Sequence, residues 1–451
     1  MNEGRRALHV LAEELHAAFD RVDAGASRAD DVGVDAWVNG AEMNGARLAG
    51  MGMDLGALLR MGILETVKGG VRARVLFERC EGVLIGRHRE TQGLGKPESA
   101  DGIGVNARAL SRMIPRGAIG SALDLGCGQG FHALRASRHA RRVVGTDVSR
   151  VALHLAWINA VINGAFNVEF RRGSVYEPVE GMTFDLIMAN TPFVFSPVHT
   201  VTSTGAAAAG DAVCGAIVRG AGARLNEGGY GVFICNWEHR AGARWDATPR
   251  AWVEGTGVDA WIVHLGQSSV TRVMEAWFTK RAGPNAENEV GCVEALRRWR
   301  AHVAREGVEA LSLGMIFVRK RAGATWVRCD EDVLAEGDAP GGVQVRRVFE
   351  NTMHLEGARA SWLESRLSAV DAEVVGEDGQ GRVLLWQVAG FRMPLVVERD
   401  VLGFLRLFDG ARRAREVLRA YRARTGMPLS RCEAVTQELM RSGYLEAGVC
   451  G

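Results

Sequence analysis

One stretch, SALDLGCGQGFHALRAS over residues 121–137, limits the folds open to this chain more than any other. An apolar run ending in Asp124-Leu125 reads as a buried strand; Gly126-Cys127-Gly128-Gln129-Gly130 reads as a tight turn, and a helical pattern follows. Glycines at such a turn let the backbone approach a ligand, while the first turn of the helix offers unpaired N–H groups. The next strand, RRVVGTD, ends on Asp147 with Val148 behind it, and Asp147 lies 19 residues after Gly128. A carboxylate at that distance suits ribose hydroxyls. Strand, glycine turn, helix and acidic strand end predict an α/β fold with a doubly wound sheet.

The rest of the chain extends that pattern. From about residue 105 to 320, seven strand-like segments alternate with helical ones: SALDLG, RRVVGTD, VEFRR, FDLIMAN, GYGVFICN, VDAWIVHLG and ALSLGMIFVRK. A seven-stranded Rossmann-like domain is expected. An insert before the last strand reads as two helices, the second being EVGCVEALRRWRAHVAREG. Residues 1–90 read as helices followed by alternation across Gly69-Gly70, the order of a winged-helix-like module. The polar run RHRETQGLGKPESADGIG links it to the central domain, expected over 91–325. Residues 326–451 begin irregularly around GDAPGG, pass through a hairpin in GRVLLWQVAGFRMPLVVERD, and continue with helical stretches around LGFLRLFDG, RAREVLRAYRARTG and SRCEAVTQELMRSG. That is a second winged-helix-like module.

Composition excludes several classes. With 47% apolar and 24% charged residues the 451-residue chain is of globular, not disordered or collagen-like, type. The 55 Lys+Arg against 53 Asp+Glu leave a formal charge of +2, which neither demands nor forbids a nucleic-acid partner. No window of about 18 uncharged apolar residues occurs, so no membrane span is expected. The amino-terminal segment reads as an amphipathic helix without a signal-type apolar core. The eight Cys form no C-x-x-C and no zinc spacing. Reduced thiols, no structural metal and a cytoplasmic location are expected.

Asp124 in front of the glycines departs from a dinucleotide fingerprint, since a carboxylate there repels a pyrophosphate and suits an ammonium group. Loop and acidic strand end together resemble the class I S-adenosylmethionine-dependent methyltransferases. The resemblance implies that Asp124, Gly126, Cys127, Gly128 and Gly130 wrap the methionine part of that cofactor, with Asp147 and Val148 at its ribose. Many members carry an Asp after the third strand, facing adenine; here RRGSVYEP puts Ser174 and Val175 there. Ser174 can still hydrogen-bond, and a backbone N–H contact is the alternative.

The fourth strand ends in Asn190-Thr191-Pro192-Phe193, which resembles the (Asn/Asp)-Pro-Pro-(Tyr/Phe) motif of amino-group methyltransferases. A planar –NH2 conjugated to a carbonyl or ring has a delocalised, poorly nucleophilic lone pair. The Asn190 side-chain oxygen and the Thr191 carbonyl can each accept one N–H, orient the nitrogen and favour its pyramidalisation. Phe193 would cover the flat face and Pro192 fix the turn. Thr191 stands where the motif usually has Pro, which bears on the rigidity of the loop. Asn, Thr and Pro also favour turns in any protein.

ADGIGVNARALSRMIP looks like the segment before the cofactor loop in methyltransferases of the small-domain type, a group similar to the protein-glutamine and ribosomal-RNA enzymes. Gly104 and Asn106 would then line the cofactor pocket, and Asn236-Trp237-Glu238 would sit near the acceptor, with simple packing the other reading of Trp237. The run RLFDGARRAREVLRAYRARTG carries seven Arg, either a basic helix for RNA or an acidic peptide, or a solvated face with ion pairs. Residues 380–446 also look like PqqD-like peptide-recognition modules in element order alone. The implied activity is methyl transfer from S-adenosylmethionine to a conjugated or amide-type nitrogen in a peptide or protein. A ribosomal-RNA or DNA base amino group, a small natural product with an N or O acceptor, and a non-catalytic cofactor sensor are the alternatives.

Overall fold

The computed structural model describes residues 3–23, 37, 42–89, 103–191, 211–273, 275, 290–331, 341–356, 361–392 and 394–448. They divide into two compact units. The first comprises residues 1–108, 118–258 and 266–325, and the second 109–117, 259–265 and 326–451.

Six strands form the sheet of the first unit: β1 (Ile119–Leu125), β2 (Ala140–Asp147), β3 (Val168–Arg172), β4 (Phe184–Asn190), β5 (Leu225–Arg240) and β6 (Val308–Lys320). Their order is β6-β5-β4-β1-β2-β3, all parallel except for β6 against β5. Strands β1 and β4 are near-continuous apolar runs, with Ala122, Leu123, Leu125, Leu186, Ile187, Met188 and Ala189 buried. That pattern belongs to a sheet covered on both faces. The chain winds from β1 outward to β2 and β3, then returns to β4 and β5 on the other side. Between β1 and β4 the winding reverses, and an open α/β sheet has its crevice at such a point.

Helices α1 (Phe131–Ala136), α2 (Arg150–Ile162), α3 (Ala212–Arg224), α4 (Ala247–Val253) and α5 (Val290–Glu306) belong to the same unit. Ser149 caps α2 by accepting from the Ala152 N–H at 3.1 Å. On α3, Gly220 lets the Tyr176 ring come so close that an added Cβ would lie 2.4 Å from it. The Tyr176 hydroxyl donates to the Ile217 carbonyl at 2.7 Å.

The amino-terminal helix Glu3–Asp23 buries Leu8, Leu11, Leu15 and Phe19 in one cluster with Leu155, Ile158 and Ile162 of α2. The alternation across Gly69-Gly70 is a hairpin of Leu64–Val67 and Gly70–Ala73, joined by Glu42–Met43. A second hairpin, Val75–Cys80 with Val83–His88, follows. It is tied to α2 through Asn163, whose Oδ1 accepts from the Leu84 N–H at 2.9 Å.

In the second unit, Asp259–Leu265 of the strand Val258–Ser269 pairs in parallel with Val327–Glu331, from Ala260 opposite Val327 to His264 opposite Glu331. All seven segments read as strands are therefore strands. Helix Gly342–Glu356, which the sequence reading passed over, carries a buried polar group: Gln344 Nε2 donates to Gln387 Oε1 at 3.1 Å and Arg347 to the Gly443 carbonyl at 2.9 Å. The expected hairpin is Arg382–Gln387 against Leu395–Glu398. The stretch read as helical around LGFLRLFDG ends its helix at Leu405, and Asp409–Arg413 is a strand paired with Arg366–Ala369. Gly410 takes φ +77 within that strand. Helices Ala414–Thr425 and Leu429–Arg441 close a core of Phe404, Phe408, Leu418, Leu439 and Tyr444.

Among the described residues no helix is long and apolar enough to cross a membrane, and no group of His, Cys, Asp and Glu is arranged to hold a metal.

Candidate active site at the carboxyl end of the sheet

Strand register places the site. Leu125 of β1 stands opposite Thr146 of β2 and Ala189 of β4, so Gly126, Asp147 and Asn190 follow side by side at one end of the sheet. Asp147 is opposite Arg172, which puts Gly173, Ser174 and Val175 just beyond β3. Asn190 is opposite Ile234, so Cys235 and Asn236 continue beyond it on β5. The residues singled out on four separate stretches thus share one edge.

The glycine loop has the backbone its composition predicts. Gly126, Gly128 and Gly130 have φ of +65, +53 and +88. A Cβ added at Gly126 or Gly128 would meet no heavy atom within 4 Å, so the space before the loop is open. The Cys127 N–H donates to the Thr146 carbonyl at 2.9 Å, and the Gly130 N–H to the Cys127 carbonyl at 2.8 Å. Burial, with the charges of Asp124 and Asp147, pushes the Cys127 thiol well up.

Asp124 is 1% exposed. Its Oδ2 accepts from the Ala133 N–H in the first turn of α1 at 2.8 Å, while Oδ1 is buried with no partner. Burial raises this carboxyl to about 7, against the pull of the Ala133 N–H and with a further push from Asp147. Asp147 Oδ2 accepts from the Gly128 N–H at 3.0 Å and Oδ1 from the Ser149 N–H at 2.8 Å. Burial raises Asp147 as well, opposed by those same N–H donors. Val148 offers its carbonyl to Arg172 Nε at 3.0 Å.

Ser174 donates its N–H to Glu177 Oε2 at 3.3 Å. Val175 has φ +47, a conformation that a β-branched residue adopts at a cost, and such residues gather at ligand sites. Gly104 precedes the helix Val105–Met113, where its carbonyl accepts from the Arg108 N–H at 3.2 Å.

On the other side of the crevice, Asn190 Oδ1 is buried and unpartnered. Thr191 is fixed to β5: its N–H donates to the Ile234 carbonyl at 3.2 Å and its hydroxyl to the same oxygen at 2.8 Å. The Cys214 thiol of α3 lies 3.1 Å from that hydroxyl. A proline at 191 could form none of these bonds, so Thr191 ties the end of β4 to β5 by hydrogen bonding. Pro192 and Phe193 lie outside the described residues. Trp237 is buried, donates to the Trp245 carbonyl at 2.8 Å and packs edge-on against Trp252, the contacts of a packing residue.

Asn159 of α2 was not singled out from the sequence. Its amide Nδ2 donates to the Gln129 carbonyl at 2.9 Å, and its Oδ1 accepts from the Gly86 N–H at 2.8 Å. It joins the glycine loop to the second hairpin. One signal was available: a fully buried Asn in the apolar pattern RVALHLAWINAVI needs partners.

Asp124 Oδ1 is a buried acceptor waiting for a donor, Asp147 stands one strand away, and the glycine turn faces open space. These donor and acceptor types fit an amino acid's ammonium group joined to a ribose.

Comparison with known proteins agrees with this chemistry. Residues 99–243 match the methyltransferase small domain. Release factor glutamine methyltransferase of Xylella fastidiosa is 34% identical over 136 residues, 27% of this chain and 48% of that protein. Ribosomal RNA small subunit methyltransferase C of Shigella flexneri is 32% identical over 140 residues, 31% of this chain and 37% of that protein. The chain thus spans about half or less of the curated relatives it matches. Among solved structures, the YcgJ protein of Bacillus subtilis aligns with 48% of this chain and 98% of its own at 14% identity and a TM-score of 0.31.

Proposed function

We propose that the methyltransferase small domain in residues 99–243 makes this chain an S-adenosylmethionine-dependent N-methyltransferase acting on a conjugated or amide-type nitrogen of a peptide or protein. The observation that carries this reading is the buried, unpartnered Oδ1 of Asn190 at the same sheet edge as Asp124 and Asp147. An acceptor buried without a donor costs free energy, and a substrate N–H relieves that cost. S-adenosylmethionine, when bound, supplies an electrophilic methyl group. Asp124 and the backbone of Gly126–Gly130 would hold its amino-acid part, Asp147 and Val148 its ribose, and Ser174 and Val175 its base.

This chain's own residues do the orienting. Asn190 accepts one N–H of the substrate and thereby fixes where its lone pair points. Thr191, tied to Ile234, keeps Asn190 from swinging. Pro192 and Phe193 are assigned the turn and the cover of the flat acceptor. A strong base is not required before transfer, because the nitrogen loses its proton after it has gained positive charge.

The relatives' names divide between a protein glutamine and ribosomal RNA. The protein acceptor is taken on the amide oxygen of Asn190 and not on local charge, since Glu238 nearby is paired with His302 Nε2 at 2.7 Å and with Arg240 at 3.7 Å. The winged-helix-like reading of residues 1–90 and 326–451, including the PqqD-like likeness, belongs to the same proposal as the part that holds a macromolecule. So does a cytoplasmic location. The basic run favours a solvated face, since Arg413 and Arg415 lie 2.7 and 2.5 Å from Glu364.

The test uses S-adenosylmethionine labelled on its methyl group, added with the protein to a desalted lysate that is then separated into protein, RNA, DNA and small molecules. Label is expected in protein and is expected to vanish with Asp147→Ala and with Asn190→Ala. Label in RNA or DNA would replace the peptide acceptor by a base amino group. Label in small molecules would favour a natural-product acceptor.

A further inference from the structure

A second buried amide oxygen lies on the next strand, two residues past the position opposite the first. Asn236 Oδ1, like Asn190 Oδ1, is buried and has no partner. Asn190 of β4 is opposite Ile234 of β5 in parallel register, and side chains two apart on a strand share a face. Asn190, Ile234, Asn236 and Glu238 therefore point to one face, on adjacent strands about 4.8 Å apart. The register of β5 against β6 runs without a break from Tyr230 to His239, so this alternation holds through Glu238. By the same reasoning Asp124, opposite Met188 and Gly145, and Asp147, two residues past Gly145, belong to that face.

The neighbours of Asn236 offer its oxygen nothing. Across the sheet it faces Leu313 of β6. Glu238, the next residue on the face, is occupied elsewhere: its Oε1 lies 2.7 Å from His302 Nε2 of α5. Two carbonyl oxygens thus stand at one end of one face, both shielded from water and both lacking a donor. A planar –NH2 carries two N–H bonds and calls for two acceptors of this kind.

We propose that Asn236 is a substrate-binding residue which, with Asn190, reads both N–H bonds of a primary carboxamide, so that the site takes an unmethylated amide and rejects one already carrying a methyl group. The inference rests on the methyltransferase reading and adds to it a second recognition atom and a limit of one methyl per nitrogen. A mono-methylated amide keeps one N–H. Binding it leaves one of the two oxygens buried and bare, which a site built for two donors penalises strongly.

The test measures binding by ligand-observed NMR at saturating S-adenosylhomocysteine, with N-acetylglutamine methyl ester and its side-chain N-methyl derivative as probes. Adenosine and N6-methyladenosine form a second pair. The wild type is expected to bind the primary amide at least about tenfold more tightly than the N-methyl form. Asn236→Leu should bring that ratio close to one with S-adenosylhomocysteine affinity unchanged, and Asn236→Asp, which keeps acceptor oxygens, should preserve it. Asn236→Ala serves as a second deletion should the leucine not fit.

A wild-type ratio near one, an undiminished ratio in both deletion variants, or loss of the ratio in Asn236→Asp would overturn the assignment. So would loss of S-adenosylhomocysteine binding in both deletions, which makes Asn236 structural, or binding of neither glutamine probe. Discrimination within the adenosine pair alone would move the site to a nucleobase and equally overturn the carboxamide. Failure of the wild type to bind S-adenosylhomocysteine strikes instead at the methyltransferase reading on which the inference stands.

Discussion

Asp124 pays for its place in the site with stability. Its carboxyl, raised to about 7 by burial, sits well above the unfolded value of about 3.9. The folded chain therefore holds the proton more tightly than the unfolded one, and this residue's contribution to stability falls as pH rises from about 4 to 7. Asp124→Asn removes the effect. The ligand-free variant should melt higher than the wild type at pH 8, with the difference shrinking toward pH 4, and thermal unfolding at several pH values checks it. The same carboxyl must be ionised to hold an ammonium group. Affinity for S-adenosylhomocysteine should then weaken below pH 7, by at most about tenfold per pH unit for one linked proton. Titration calorimetry in buffers of different ionisation enthalpy should show proton release on binding at pH 6. A pH-independent affinity between 5 and 8 would show that Asp124 does not meet the ammonium.

Elements decide how firmly those residues are held. Asn159→Leu removes the hydrogen bonds that this side chain makes to the Gln129 carbonyl and from the Gly86 N–H, and should destabilise the chain by about 2 kcal/mol or more. It should also weaken S-adenosylhomocysteine binding, since the glycine loop loses its anchor; melting temperature and calorimetry together would show both. A variant that loses stability but keeps full affinity would separate the anchor from the site. The glycine loop, the acidic end of β2 and the end of β4 were legible in the sequence, because each is a short pattern whose chemistry is local. The work of Asn159 and Thr191 was not, because their partners lie 30 and 43 residues away and only the fold brings them near. Helix Gly342–Glu356 was missed beside a glycine-rich start, and Asp409–Arg413 was misread because the basic helical pattern after it runs back across Gly410.

At the scale of the whole molecule, the boundary near residue 325 is not a clean cut. Asp259–Leu265 clusters with residues 326–451, and Val327–Glu331 supplies its parallel partner. Trp261 Nε1 donates to Asp330 Oδ2 at 2.7 Å. A chain ending at Thr325 would strip that apolar strand, with Ala260, Ile262 and Val263 buried in the full chain, of its Val327–Glu331 partner. An apolar strand with an open edge is an aggregation site. Truncation at Thr325 should lower solubility and melting temperature, measured by size exclusion and thermal unfolding against the full chain. A soluble, equally stable fragment would show that the partner strand is dispensable.

The central claim is that one sheet edge divides its labour, Asp124 and Asp147 holding the cofactor and Asn190 the nitrogen. Its most direct test compares Asn190→Ala with the wild type for two quantities in one preparation: affinity for S-adenosylhomocysteine, and the rate at which labelled methyl enters the lysate fraction that the wild type labels. Affinity within about twofold of wild type is expected, with transfer reduced by about a hundredfold or more, the usual cost of losing one such orienting hydrogen bond. Transfer at the wild-type rate, or affinity lost in step with transfer, would contradict it.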